Sequence, residues 1–245
     1  MKVMICRDYG ELSVKAADII EKSIREKPES VLGLATGATP LGLYKELINR
    51  NKEGRISFKK CISFNLDEYV GLSSGDAESY RYFMEKKFFD HIDIDKSNTF
   101  VPDGLAPDMD AYCEWYEQKI QKAGGIDIQV LGLGGDGHIA FNEPGSAFDS
   151  RTRVQELASQ TTEDNSRFFN SRDEVPKFAI TMGIGTIMEA RKLLLLVSGR
   201  QKNLIVKKCL ETPVSEKYPA SIIQKHPDAI VVLDMEAASL LRGRK

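Results

Sequence analysis

Leu193-Leu-Leu-Leu-Val197 is an unbroken run of five apolar residues, and Ile230 to Leu233 is another of four. Strands that are apolar at every position, rather than at alternate ones, must be covered on both faces. Val31 to Ala35 and Ile128 to Leu133 read as further short buried strands, with Lys2 to Cys6 and Ile62 to Leu66 beside them. Between these runs, apolar residues recur at helical spacing, as at Leu12, Ala16, Ile19 and Ile24. The alternation predicts an α/β chain with a Rossmann-like, open, mostly parallel sheet and helices on both faces. Asp8 and Glu11 form a capping box for a first helix running to about Lys27, and Pro40 suits the first turn of a helix that carries Tyr44, Leu47 and Ile48. Tyr82 to Phe89 and Tyr112 to Ala123 read as two more helices. A length of 245 residues fits one α/β domain, and neither repeat nor linker divides it, so 1–245 is expected to be a single domain. Segments 70–79 and 142–176 are the least regular, and the second is expected to hold a lid.

Charge and cysteines narrow the partners. A net charge of −2, with Lys and Arg spread along the chain, gives no extended basic field for nucleic acid and no polybasic membrane patch. No apolar run approaches the ~18 residues of a membrane span, and the N-terminus lacks the features of a signal peptide. Cys6, Cys61, Cys113 and Cys209 stand alone, as thiols do in a reducing compartment. The expectation is a cytoplasmic protein whose partner is a small molecule. His91, His138 and His226 are widely separated and no His-Glu-x-x-His occurs, so no metal is expected.

Three loops carry chemistry. Asp136-Gly-His-Ile-Ala-Phe-Asn-Glu143 follows an apolar, glycine-ended run and sets one imidazole between two carboxylates. His138 can move a proton there, with Asp136 and Glu143 fixing its tautomer and favouring its charged form. A polar loop with one hydrogen-bonded histidine explains the same residues. Thr36-Gly-Ala-Thr39 follows a strand and opens a helix, so backbone N–H groups and two hydroxyls can converge on an anion. An ordinary turn capped by Thr36 or Thr39 is the other reading. It is not a Walker A loop, because no Gly-Lys-Ser/Thr follows. Asp67 and Glu68 end the third strand, at the edge where an open α/β sheet binds its ligands. Asp67 can then act as a base, or the pair can cap a helix. Gly132 to Gly137 matches G-x-G-x-x-G, but Asn142, Pro144 and Gly145 interrupt the helix that a dinucleotide site needs.

Taken together, residues 35–40, 64–72 and 136–145 resemble the glucosamine-6-phosphate deaminases. The likeness continues through Asn-Ser-Arg-Phe-Phe at 165–169, Thr-Met-Gly-Ile-Gly-Thr-Ile at 181–187 and Ser-Gly-Arg-Gln-Lys at 198–202. It implies a Rossmann-like fold and conversion of glucosamine 6-phosphate and water to fructose 6-phosphate and ammonia, with no metal or organic cofactor. By the same resemblance, Asp67 takes the C2 proton of the opened sugar and returns it at C1, through an enolamine-like intermediate. His138 opens the ring, held by Asp136 and Glu143. Thr36, Gly37, Ala38 and Thr39 bind the phosphate, together with the cations Arg167 and Lys202. Crowding of the carboxylates is expected to raise the proton affinity of Asp67, offset by His138 and the substrate ammonium.

One region departs from part of that family. Some members are hexamers activated by N-acetylglucosamine 6-phosphate, bound just after the catalytic loop. Ser146, Arg151 and Arg153 are retained, but Ala147 and Gln155 replace a serine and a lysine. The chain also stops soon after its last strand and helix. The expectation is a monomer or small homo-oligomer without strong activation. The 6-phosphogluconolactonases share a related phosphate loop and Asp-Gly-His element, but a lactonase needs no C2 base. A non-catalytic sugar-phosphate sensor would need a DNA-binding module, and no basic helix-turn-helix precedes the first strand.

Overall fold

The computed structural model describes residues 1–242 apart from 167, 168, 170, 172 and 173. Seven strands, numbered along the chain, form one sheet. Its order is β1 (Lys2–Cys6), β10 (Ala229–Asp234), β9 (Leu193–Val197), β6 (Ile128–Leu131), β2 (Val31–Leu34), β3 (Ile62–Asn65) and β5 (Thr99–Phe100). Every neighbouring pair is parallel. All residues of β2, β6 and β9 are buried, so both faces of the sheet centre are covered, as their composition requires. Each fully buried leucine of β9 contributes roughly 1.5–3 kcal/mol.

Helix α1 (Tyr9–Glu26) buries Leu12, Ala16, Ala17, Ile20 and Ile24 along one stripe. Asp8 caps it by accepting the Glu11 N–H at 2.9 Å. The reciprocal half of the expected capping box is displaced by one residue, because the Glu11 carboxylate takes the N–H of Arg7, whose guanidinium it also pairs. Helix α2 (Leu41–Lys52) starts one residue after Pro40, whose carbonyl accepts the Tyr44 N–H. The aromatic segment forms α3 (Tyr80–Lys87), followed by a single 3-10 turn at Phe89–His91. Helix α4 (Met109–Lys122) precedes β6, the short α6 (Ile184–Met188) precedes β9, and α7 (Asn203–Glu211) precedes β10.

From β2 the chain moves outward through β3 to β5, then returns to β6 on the other side of β2 and continues to β9 and β10. The reversal between β2 and β6 opens a crevice at their carboxyl ends, where open α/β sheets bind ligands.

A smaller antiparallel sheet covers part of that crevice: β4 (Asp67–Tyr69), β8 (Phe178–Thr181) and β7 (Arg153–Glu156), in the order β4-β8-β7. The run expected to continue as one strand to Leu66 changes sheets there. The Leu66 N–H donates to the Leu34 carbonyl of the large sheet, and the Leu66 carbonyl accepts the N–H of Met182, just past β8. Asp67 then pairs with Thr181 in the small sheet. The segment expected to be irregular at 142–176 contains β7 and helix α5 (Ser159–Asn165). Residues 70–79 contain no helix or strand. Among the described residues, no helix is long and apolar enough to cross a membrane.

Candidate active site

A cavity of about 750 Å³ lies at the carboxyl ends of β2, β6 and β9, with Asp67 of β4 in its wall. That volume suits a small organic ligand. Thr36, Gly37, Ala38, Thr39, Asp67, His138 and Lys202 all line it. Asp136 and Glu143 stand behind His138 instead of in the wall. Arg167 lies outside the described residues.

The 35–40 loop leaves β2 through Gly37, whose φ of +102° is a conformation that a side chain disfavours. Among the described residues, the N–H groups of residues 36–39 donate to no backbone carbonyl. They therefore remain available at the start of α2, where the helix dipole favours negative charge. Tyr9 braces the loop from outside: its hydroxyl lies 2.9 Å from the Thr39 carbonyl and accepts the Gly42 N–H at 2.7 Å. Opposite this loop, Asp234 at the end of β10 accepts the Gly199 N–H and the Ser198 hydroxyl. These bonds fix the turn that leads to Lys202.

Asp67 and Glu68 divide the two roles open to them. Glu68 accepts the N–H groups of Tyr69, Tyr80 and Arg81, each at 2.9 Å, and so clamps the first turn of α3. Asp67 opens on the cavity and is 6 % exposed. Burial, and secondarily the Glu68 carboxylate, push it up to about 8, against the pull of His138. The direction matches the sequence expectation, but desolvation outweighs carboxylate crowding, and the crowding neighbour is Glu68. Such a carboxylate is a strong base once it has lost its proton.

The imidazole of His138 lies against the backbone of Gly134, where a Cβ would stand 2.3 Å from its Nε2. Its Nδ1 is 2.8 Å from Asp136 and 3.6 Å from Glu143. Neither carboxylate lies in line with the ring N–H, so the contacts act as ion pairs. Burial opposes a charge on the ring, yet the two carboxylates prevail and push His138 up to about 9. Asp136, also partly desolvated, is held low by the same pairing. Since Nδ1 meets both carboxylates, Nε2 is the nitrogen left to meet a ligand. The donor atoms of Asp136, His138 and Glu143 lie within 4.8 Å of one another, a spacing that also suits a cation. However, the same two carboxylates raise the proton affinity of the ring, and a proton held at Nδ1 competes with any cation there, so the trio is better suited to proton transfer.

Asn142 locks this loop in place. It is fully buried, donates to the carbonyls of Ile139 and Met182, and accepts from Arg153. The Phe141 N–H donates to the Thr181 hydroxyl at 3.0 Å. Ala140, with φ of +52°, is the one non-glycine residue of positive φ among those described, and it sits in the cavity wall. Tyr69 and Phe141 share a small apolar cluster with Leu157 and Ala179.

Sequence reasoning did not single out Tyr80, Thr161, Ser198 or Gln201, all of which line the cavity. The motif Ser-Gly-Arg-Gln-Lys at 198–202 contained two of them. Nothing local in the polar stretch around Thr161 marks it.

Residues 9–232 match the family model described as glucosamine-6-phosphate isomerases/6-phosphogluconolactonase. The glucosamine-6-phosphate deaminase of Thermoanaerobacter pseudethanolicus is 51 % identical over 241 residues, covering 98 % of this chain and 95 % of that one. A solved structure described as a monomeric glucosamine-6-phosphate deaminase is 51 % identical with a TM-score of 0.96, over 98 % of this chain and 100 % of the other. The 6-phosphogluconolactonase of Leishmania guyanensis is 22 % identical with a TM-score of 0.76, over 99 % of both chains. At that identity the likeness is one of fold alone.

Proposed function

The chain belongs to the glucosamine-6-phosphate isomerase/6-phosphogluconolactonase family, and we propose that within it the chain is a glucosamine-6-phosphate deaminase. It converts glucosamine 6-phosphate and water to fructose 6-phosphate and ammonia. The observation that carries this reading is a buried carboxylate of raised proton affinity, Asp67, sharing one cavity with a charge-paired imidazole, His138.

His138 relays a proton to the ring oxygen, and the aldehyde form opens. Asp67 removes the C2 proton and returns it at C1, so the double bond migrates through an enolamine to an imine at C2. Water then adds to C2 and ammonia leaves. Asp136 and Glu143 hold the imidazole. Thr36, Gly37, Ala38, Thr39 and Lys202, with Arg167, hold the phosphate, which is fixed far from the reacting carbons by N–H groups and cations. No metal or organic cofactor enters this scheme. Residues 1–245 act as one domain, and four buried free thiols suit the cytoplasm.

The effector region supports the absence of strong allosteric activation. Arg151 is paired with Glu117 and Glu189, and Arg153 donates to Asn142 and Gln155, so both cations are engaged within the chain. The chain works as a monomer, the state named for the structure it matches at 51 % identity. A coupled assay for fructose 6-phosphate and ammonium, with and without N-acetylglucosamine 6-phosphate, tests activity and regulation together. Acid release from 6-phosphogluconolactone without ammonia from the amino sugar would favour the lactonase reading.

A further inference from the structure

Glu143 is a buried carboxylate whose two oxygens have different surroundings. Its Oε1 accepts the Thr161 hydroxyl at 2.6 Å and the Ala158 N–H at 3.3 Å. Its Oε2 has no hydrogen-bond partner among the described residues and lies 3.6 Å from His138 Nδ1. Both donors to Oε1 come from α5 and the residue that caps it. Thr161 is 3 % exposed and is one of the residues that line the cavity. One residue therefore borders the ligand space and, through its hydroxyl, holds the carboxylate behind the imidazole.

We propose that Thr161 is a positioning residue for the proton relay, holding Glu143 rotated so that its second oxygen stays opposite the His138 imidazole. The physical basis is satisfaction of a buried carboxylate. With Oε1 accepting two hydrogen bonds, the carboxylate is held in the rotamer that directs Oε2 at the imidazole. Without the hydroxyl, the carboxylate would turn toward other donors, and His138 would lose one of its two counter-charges at close range. The charged groups left near the imidazole are then Asp136 on its own loop and Asp67 from β4, with Lys202 lining the same cavity. Asp136 alone would remain to hold the ring proton at close range.

The inference rests on the proposed relay but is tested separately from the substrate assignment. Thr161→Val keeps the shape and removes the donor. In ligand-free protein, NMR titration of the His138 ring should move to lower pH. With glucosamine 6-phosphate, kcat should fall about tenfold, a part of what a proton-transfer group supplies, while KM stays within about twofold. Thr161→Ser should restore both. Thr162→Val is the control, since that hydroxyl bonds the Ala158 carbonyl and not Glu143. If valine is not accommodated and the fold is lost, Thr161→Ala carries the same expectations. An unchanged His138 titration and kcat in a folded variant would overturn the proposal. So would a serine variant as impaired as the valine one, since the methyl group would then be what matters. If the wild-type protein releases no ammonia, the deaminase reading fails, while the titration still decides whether Thr161 acts on the imidazole.

Discussion

The imidazole of His138 rests on Gly134 so closely that a methyl group there would fall 2.3 Å from its Cε1 and Nε2. Only hydrogen fits at this position. Gly134→Ala should leave the parallel sheet intact, because residue 134 lies beyond the end of β6, but should push the ring off its carboxylates. Ammonia release is expected to fall by about 100-fold or more, with an unchanged circular dichroism spectrum. Near-normal turnover would mean that the ring can work from a different place.

Asp67→Asn should remove C2 hydrogen exchange with solvent, with kcat lowered by roughly 10²–10⁴-fold. The same change should stabilise the protein in alkaline buffer. Folding raises the proton affinity of Asp67 from the ordinary 3.8 to about 8, so the folded state binds this proton more tightly than the unfolded state. That contribution is complete below about pH 3.8 and is lost as pH rises through about 8. At pH 8.5 the wild-type protein carries a buried charge that asparagine lacks. Thermal scans should show the variant melting roughly 5 °C higher or more at that pH, with a smaller gap in acid.

The pH profile of kcat/KM should be a narrow bell. Activity rises as Asp67 loses its proton near pH 8 and falls as His138 loses its own near pH 9. Asp136→Asn removes the closest counter-charge of the ring, so its alkaline limb should move toward neutral pH. A limb that stays in place would separate Asp136 from the titration.

Lys202→Ala should raise KM by about tenfold or more and leave kcat within a few-fold, as expected for a contact made equally to ground and transition states. Comparison with unphosphorylated glucosamine checks the assignment. If the variant loses as much on that compound, Lys202 is not reading the phosphate.

Asn142→Leu leaves the Met182 carbonyl without its side-chain donor in the interior and takes one hydrogen bond each from the Ile139 carbonyl and the Arg153 guanidinium. It should cost about 2–4 kcal/mol and lower the melting temperature by roughly 5–15 °C. Calorimetry tests this without reference to catalysis.

The elements legible in the sequence were those whose environment is uniform. Leu193 to Val197 can only be a strand buried on both sides, and Leu12 through Ile24 can only be a one-sided helix. Strand β7 was not legible, because Arg153-Val-Gln-Glu156 is partly exposed and depends on β8 for its pairing. Strand β5 is two residues long. The break between β3 and β4 was hidden because the apolar run continues through Leu66, while the change of sheet is made by backbone bonds to Leu34 and Met182. In the site, Asp67 and His138 stood out because charge directly after an apolar strand is costly unless it is used. Thr161 did not, because a hydroxyl in a polar stretch carries no signal until the fold brings Glu143 to it across eighteen residues.

Thr181 pairs with Asp67 across the small sheet and, through its hydroxyl, also holds the Phe141 N–H of the histidine loop. The proposed proton acceptor and the imidazole are thus mounted on a common bracket, and their separation is set by strand pairing and one hydroxyl bond that owe nothing to what fills the cavity. In the proposed reaction the sugar must then be the pliant member of the complex: once its ring opens, the chain of carbons swings to present C2, then C1, to a carboxylate that does not travel.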